Sequence, residues 1–161
     1  MSVMWHYSRG HMADTQAQEE TKTVVALLGG PKVFSRKISD ASDLQQVLRQ
    51  GFPYATFEAF LKVLDLKSRD LANLLGVASR TLARRKISQQ LSPIESDRLY
   101  RVAHITRLAT VVLGSLEKAK AWLHKDNRAL GGNSPISFLD TEIGERQVEE
   151  LLNRINYGIV S

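Results

Sequence analysis

The sequence predicts an all-α protein, and three observations support that prediction. No window of strand length alternates β-branched with polar residues. After a break at residues 29–31, apolar residues recur at helical spacing, and serine, aspartate or proline precedes most of these stretches. The 161 residues, 43% of them hydrophobic, suffice for one core of moderate size or two small ones, which excludes a large multidomain enzyme.

The first 40 residues are predicted to lie outside the folded body. Residues 1–20 are polar, show no apolar period and contain internal Met4 and Met12, which is typical of a disordered segment or an upstream extension. We therefore expect residues 1–40 to be disordered or weakly ordered.

Two helices are predicted next. Asp40 or Ser42 can cap a short helix that ends before Gly51, and Pro53 suits the first turn of the following helix. Their apolar sides consist of Leu44, Val47 and Leu48 in the first helix and of Phe57, Phe60, Leu61 and Leu64 in the second. The i, i+3, i+4, i+7 spacing of the second set predicts a helix that packs against its neighbours.

Residues 68–85 contain two short amphipathic segments that meet at Gly76. Ser68 and Ser79 can cap these segments, and Gly76 permits the positive φ of a tight turn. The rest of the pattern comprises the small Ala72 and the apolar Leu71, Leu75, Val77 and Leu82. This order of positions resembles the bacterial helix-turn-helix. Arg85 departs from it, because that motif usually buries an aliphatic residue there.

Positive charge is concentrated on the same stretch. Residues 66–101 carry eight Lys/Arg against three Asp/Glu, an excess of five that equals the excess of the whole chain, 22 minus 17. Polyanions are the natural partner, because neutralising phosphates releases condensed counterions. The second helix of such a motif enters the major groove, which predicts base contacts from Ser79, Arg80, Thr81 and Arg84 and phosphate contacts from Arg85 and Lys86. A solvated helix end without DNA contact is the alternative interpretation of residues 84–86.

The second half is also predicted to be helical. Ser92, Pro93 and Glu95 combine a capping box with proline at the first helical position, which predicts a helix that runs towards Gly114. The later start and stop signals are Ser115, Ser134-Pro135, Asp140 or Thr141, and Gly158. The last helix carries Val148, Leu151, Leu152 and Ile155 on one face.

Two runs of this half resemble a known family. Residues 91–101 read LSPIESDRLYR, and residues 129–144 read ALGGNSPISFLDTEIG, followed by the pattern of residues 148–158. Both runs look like the Xre/MbcA/ParS-type antitoxins, and the resemblance covers residues 44–161. It implies a DNA-binding domain, predicted here at residues 41–101, and a small helical toxin-binding domain at residues 102–161. It also implies a cognate RES-domain toxin that consumes NAD and an operon that the complex represses.

The end of the chain is the predicted toxin contact. Residues 156–161 place three large apolar side chains beyond a helix stop, and such a tail is a candidate for docking into a partner's cleft. Folding of Ile159 and Val160 back onto their own core is the alternative. Because the resemblance implies that this end approaches the toxin's active site, we predict contacts from Arg154, Tyr157, Gly158 and Ile159.

Other functions find little support in the sequence. Without cysteine, a phosphate loop, a dinucleotide fingerprint or histidines at ligand spacing, we expect no cofactor, no metal and no enzymatic activity. Without a span or a signal pattern, we expect a cytoplasmic chain with no membrane partner. A homodimer or a toxin-bridged assembly would place two reading helices on a palindromic operator. Two alternatives stay open: a free-standing transcription regulator with an effector-binding or dimerisation domain, and a member that has lost DNA binding.

Overall fold

The computed structural model describes the backbone of residues 3–159 and the side chains of residues 12–159. Within these ranges it contains helices and no strand, which confirms the predicted all-α class. The α-helices are α1 Val3–Leu27, α2 Pro31–Phe34, α3 Ala41–Gln50, α4 Tyr54–Leu64, α5 Ser68–Leu74, α6 Ser79–Ser88, α7 Pro93–Leu113, α8 Leu116–His124 and α9 Glu142–Asn156. Two 3-10 helices, Arg128–Leu130 and Pro135–Phe138, lie between α8 and α9.

The interpretation of residues 1–40 as a weakly ordered extension is wrong for the segment from residue 21 onwards. Val24 and Val25 at the end of α1 and Leu28 just after it are buried, and Phe34 and Ile38 join the same core. α1 packs against α7, α3 and α4. The sequence did not predict this helix, because the apolar residues that it is seen to bury, Val24 and Val25, occupy about one turn at the end of a polar stretch. Residues 12–19 of α1 are exposed.

The centre of the core is formed by α4 and the residues just before it. Phe52, Phe57, Phe60 and Leu64 are completely buried, and the ring of Phe34 meets that of Phe52 edge-on with centroids 5.4 Å apart. The predicted stripe of α4 is therefore confirmed as its buried side, except that Leu61 is only half-buried. This core is the base on which α5 and α6 rest.

Most predicted helix starts are confirmed by side-chain caps. Ser92 and Glu95 form the reciprocal capping box, and the side chains of Asp40, Ser115 and Thr141 each accept a backbone N–H at the start of α3, α8 and α9. The predictions for Ser68 and Ser79 are wrong: each serine is the first residue inside its helix, and Lys67 and Ala78 occupy the cap positions.

α7 connects the two halves of the molecule. It packs against α1, α3, α8 and α9, and the predicted domain boundary at residues 101–102 falls within it. The C-terminal half also touches α4 through α8: His124 Nε2 donates to the Leu64 carbonyl at 3.0 Å, and Lys120 pairs with Asp65. Among the described residues no helix is both long and apolar enough to span a bilayer.

Candidate functional surfaces

The turn between α5 and α6 is fixed by a side chain from α7. Gly76 has φ 63°, a conformation that costs other residues about 1 kcal/mol. Arg98 Nη1 donates to the Leu75 carbonyl at 2.7 Å and lies 2.6 Å from the place that a Cβ on Gly76 would occupy. The Val77 N–H closes the turn by donating to the Ala72 carbonyl at 2.8 Å. The positive φ at Gly76 thus agrees with the prediction. The hydrogen bond from Arg98 was not predicted, because it joins residues that are 23 positions apart.

α6 presents most of the predicted DNA contacts to solvent. All ten of its residues are described and none is buried. Ser79, Arg80, Arg84 and Lys86 are exposed, while Thr81 is half-buried. Neither Arg80 nor Arg84 forms a hydrogen bond or ion pair with any described residue, so both guanidinium groups are available to a ligand.

Arg85 lies in a different environment from its neighbours. Its Nε donates to both carboxylate oxygens of Glu95, at 2.9 and 3.1 Å, and 28% of its side chain is exposed. Burial raises the pKa of Glu95, but hydrogen bonds from the Ser92 backbone and from Arg85 outweigh that effect and hold the pKa below its usual value. Arg85 thus fills the usually aliphatic position by pairing inside the protein, which speaks against the predicted phosphate contact.

The internal pairs leave the local excess of positive charge in place. Arg85 pairs with Glu95, and Arg101 pairs with Asp97 at 3.3 Å, so each pair removes one cation and one acid from the balance. The same excess of five then belongs to six cations and one acid, which are Lys67, Arg69, Arg80, Arg84, Lys86, Arg98 and Asp70. Five of these cations are exposed on or near the two helices of the motif, and Arg98 holds the turn.

The second surface is the end of α9. Val148, Leu151 and Leu152 anchor this helix in the core. Gly158, at φ 70°, reverses the chain: its N–H donates to the Ile155 carbonyl at 3.1 Å. The next N–H, of Ile159, donates to the Arg154 carbonyl at 2.9 Å, which completes a Schellman motif.

This turn holds two large apolar side chains away from the body. Tyr157 is 75% exposed and Ile159 is 64% exposed, so Ile159 does not fold back onto the core. Arg154 is exposed on the preceding turn. The structure thus brings the four predicted toxin contacts together at one helix end, whereas Val160, the other residue of the fold-back alternative, lies outside the described residues.

A concave site of about 390 Å³ lies beside this end. It is lined by Arg154 and by parts of α9 and the preceding loop, namely Ala129, Leu130, Gly131, Phe138, Gln147 and Glu150. No sequence pattern predicts this concavity, because it forms only where the Leu-Gly-Gly turn, a 3-10 helix and α9 pack against one another.

A polar contact joins α7 to α9. Arg101 Nη1 donates to Glu145 at 3.2 Å. Burial raises the pKa of the Glu145 carboxyl, and the opposing attraction of Arg101 does not cancel that effect. Across the described residues, no group of three His, Asp or Glu side chains could hold a metal ion.

The two histidines whose side chains the structure describes lie in different surroundings. His104 stacks on Tyr100, and burial together with the charge of Arg107 lowers its pKa. His124 contacts the end of α4, and the side chains of His6 and His11 lie outside the described residues.

Comparisons with known proteins agree with this division into two surfaces. Residues 43–104 match a family described as the antitoxin Xre-like helix-turn-helix domain, and residues 108–158 match the antitoxin Xre/MbcA/ParS C-terminal toxin-binding domain. Three curated relatives are each called antitoxin Xre. The one from Pseudomonas putida is 46% identical over 80 residues, 49% of this chain and 50% of the relative. The one from Photorhabdus laumondii is 30% identical over 125 residues, 76% and 84%. The one from Yersinia enterocolitica is 28% identical over 117 residues, 71% and 78%.

Proposed function

The chain belongs to the Xre/MbcA/ParS-type antitoxins, with a helix-turn-helix domain and a toxin-binding domain, and from that premise we propose how its two surfaces divide the work. The end of α9 occludes the active site of a cognate RES-domain toxin that consumes NAD. α6 binds operator DNA, so that the complex represses its own operon. We place this activity in the cytoplasm, because that is where bacterial DNA would be accessible to α6.

The observation that supports toxin binding best is the exposed end of α9. Burying Tyr157 and Ile159 in a partner would gain about 2 kcal/mol for each large apolar side chain removed from water. The Schellman turn fixes both side chains before binding, so little conformational entropy is lost when a partner covers them. Occlusion requires no reaction by this chain, and we propose that it has no enzymatic activity.

The toxin proposal is tested by co-expressing the chain with the product of its neighbouring gene, which we expect to be a RES-type protein. The double substitution Tyr157→Ser/Ile159→Ser should abolish co-purification and leave cellular NAD unprotected. Ile143→Ser is the matched control, because Ile143 is 74% exposed at the other end of the same helix. If the control loses neutralisation equally, or the double variant keeps it, the proposed contact is wrong.

The proposal for DNA depends on Arg80 and Arg84. They lie four residues apart on α6, so both guanidinium groups can face one groove, where their donors suit guanine O6 and N7. Ser79 and Thr81 would add base contacts at the start of the helix, and Lys86 would bind phosphate. One reading helix recognises one half-site, so we propose a homodimer or a toxin-bridged assembly on a palindromic operator.

The DNA proposal is tested by gel retardation of the duplex upstream of the gene. Arg80→Ala/Arg84→Ala should abolish retardation and leave toxin neutralisation intact, since the two surfaces lie on different helices. Lys118→Ala/Lys125→Ala is the matched control, because it removes two exposed cations from elsewhere. Equal loss in the control would show that net charge, and not α6, binds the duplex. Retardation without co-purification of any toxin would favour a free-standing regulator, and neutralisation without retardation a member that has lost DNA binding.

A further inference from the structure

Glu95 is a nearly buried carboxylate that connects two helices. One of its oxygens accepts the Ser92 N–H at 2.8 Å and thereby completes the cap of α7. The same oxygen accepts Arg85 Nε at 2.9 Å, and the other oxygen lies 3.1 Å from that nitrogen. Only 9% of the Glu95 side chain is exposed. The start of α7 therefore binds the last turns of α6 through a single charged pair.

α6 has few other attachments. Leu82 packs against the core but is only half-buried, and Ile87, near the end of the helix, is 84% exposed. The residue that follows α6 is held by a backbone hydrogen bond, in which the Tyr54 N–H donates to the Gln89 carbonyl at 3.0 Å. Among the described side chains, Arg85 alone links the second half of α6 to α7 by a hydrogen bond. If Arg85 were removed, the angle of α6 would depend on the packing of Leu82 and on the chain segments at the two ends of the helix.

Pairing also changes what Arg85 can contribute to DNA binding. A guanidinium that is already neutralised by a buried carboxylate at 2.9 Å replaces few phosphate counterions when DNA arrives. Lys86, the next residue, is exposed and has no such partner among the described residues. Two adjacent cations on one helix thus have different surroundings and should act differently.

We infer that Arg85 and Glu95 are positioning residues for operator recognition: their ion pair sets the angle at which α6 meets the groove, and Arg85 itself makes no phosphate contact. The inference rests on the proposed DNA-binding function and adds two residues to it, one of them an acid outside the reading helix.

The sign of the effect of Glu95→Gln separates the two possible roles of Arg85. Glutamine preserves the capping box but removes the charge that holds Arg85. If the pair positions α6, Glu95→Gln should weaken binding to the upstream duplex about tenfold. If Arg85 binds phosphate, the same change should leave affinity equal or raise it, because it removes a nearby negative charge. Arg85→Gln/Glu95→Gln should lose no more than either single variant, since all three remove the same pair.

Salt dependence gives a second, independent measurement. Lys86→Gln and Arg85→Gln each remove one cation from adjacent positions. We expect Lys86→Gln to reduce the slope of log affinity against log salt by about 0.9, as for one lost phosphate contact. Arg85→Gln should leave the slope unchanged while lowering affinity for the upstream duplex, with little change for a scrambled duplex of equal length. A reduced slope for Arg85→Gln overturns the inference.

All variants are compared under conditions where circular dichroism shows each to be folded. Unchanged operator affinity in folded Glu95→Gln overturns the inference, because the pair would then not set the angle of α6. Arg85→Lys, which keeps a cation for Glu95 but not the planar guanidinium, should lose less affinity than Arg85→Gln. Absence of retardation by the unmodified chain would instead contradict the proposed DNA-binding function.

Discussion

α6 and α9 both present exposed side chains for binding, but different forces attach them to the body. α9 is anchored by Val148, Leu151 and Leu152 in the core. α6 has no buried residue and is linked through Arg85 and the half-buried Leu82. Apolar burial is insensitive to the charge state of the protein, whereas an ion pair depends on protonation and ionic strength. The end of α9, the proposed toxin contact, should therefore tolerate conditions that disturb α6, the proposed DNA contact.

Truncating the apolar anchors should reveal the largest difference between the two helices. Leu152 is completely buried, so Leu152→Ala should lower the free energy of unfolding by about 3 kcal/mol, through lost transfer energy and the cavity left behind. Leu82→Ala, the same change on the half-buried residue of α6, should cost about 1 kcal/mol. Urea denaturation measures both. Equal costs would contradict the proposed difference in attachment.

The turn before α6 gives the next largest effect. Gly76→Ala should cost about 2 kcal/mol, because alanine is strained at φ 63° and its Cβ displaces Arg98 from the Leu75 carbonyl. Gly132→Ala is the matched control: its φ is 82°, but no atom lies within 4 Å of the added Cβ, so only the backbone strain of about 1 kcal/mol applies. Thermal unfolding of both variants, with operator retardation of the first, checks this. Equal destabilisation would mean that Arg98 adds nothing to the turn.

Two acids, Glu95 at the start of α7 and Glu145 on α9, should respond to pH in opposite directions. Glu95 has a lowered pKa, so its stabilising contribution is present above pH 4.5, the ordinary value, and is lost as pH falls through the lower folded value. Glu145 has a raised pKa, so its contribution is complete below pH 4.5 and is lost as pH rises through the higher folded value.

Urea denaturation on both sides of pH 4.5 tests these signs. Relative to the unmodified chain, Glu95→Gln should be more destabilising at the higher pH. Glu145→Gln should become less destabilising as pH rises, because it removes a buried charge that the folded state disfavours. Parallel pH profiles for the two variants would contradict the opposite pH dependence expected for Glu95 and Glu145.

Helix starts could be predicted because capping is local. Ser92 and Glu95 are three residues apart, and each contacts the other's backbone, so their pairing is legible in the sequence. α1 could not be predicted, since its stability comes from packing against α7, α3 and α4, which lie far along the chain. The sequence marked Arg85 as unusual, but not its partner, because the pair spans the end of one helix and the start of the next.

In the candidate surfaces, too, features set by local sequence could be predicted and features set by the folded geometry could not. Exposure of Arg80 and Arg84 agreed with the helical period, which places them on one face. Exposure of Ile159 did not follow from sequence, because an apolar residue after a helix stop can equally turn inwards. The geometry of the Schellman turn decided that question, and it depends on the φ of Gly158.

The smallest expected effect concerns the contact between the two halves. His124 donates to the Leu64 carbonyl at 3.0 Å, so His124→Ala should cost about 1 kcal/mol in urea denaturation, the net value of one hydrogen bond. Lys120→Ala, which removes the neighbouring pair with the exposed Asp65, should cost less than that, and only at low salt. Because α6 and the end of α9 contribute nothing to this contact, operator affinity and toxin neutralisation should each stay within about twofold. A larger change in either activity would show that the two surfaces are energetically coupled, and binding of toxin would then alter affinity for DNA by the reciprocal factor.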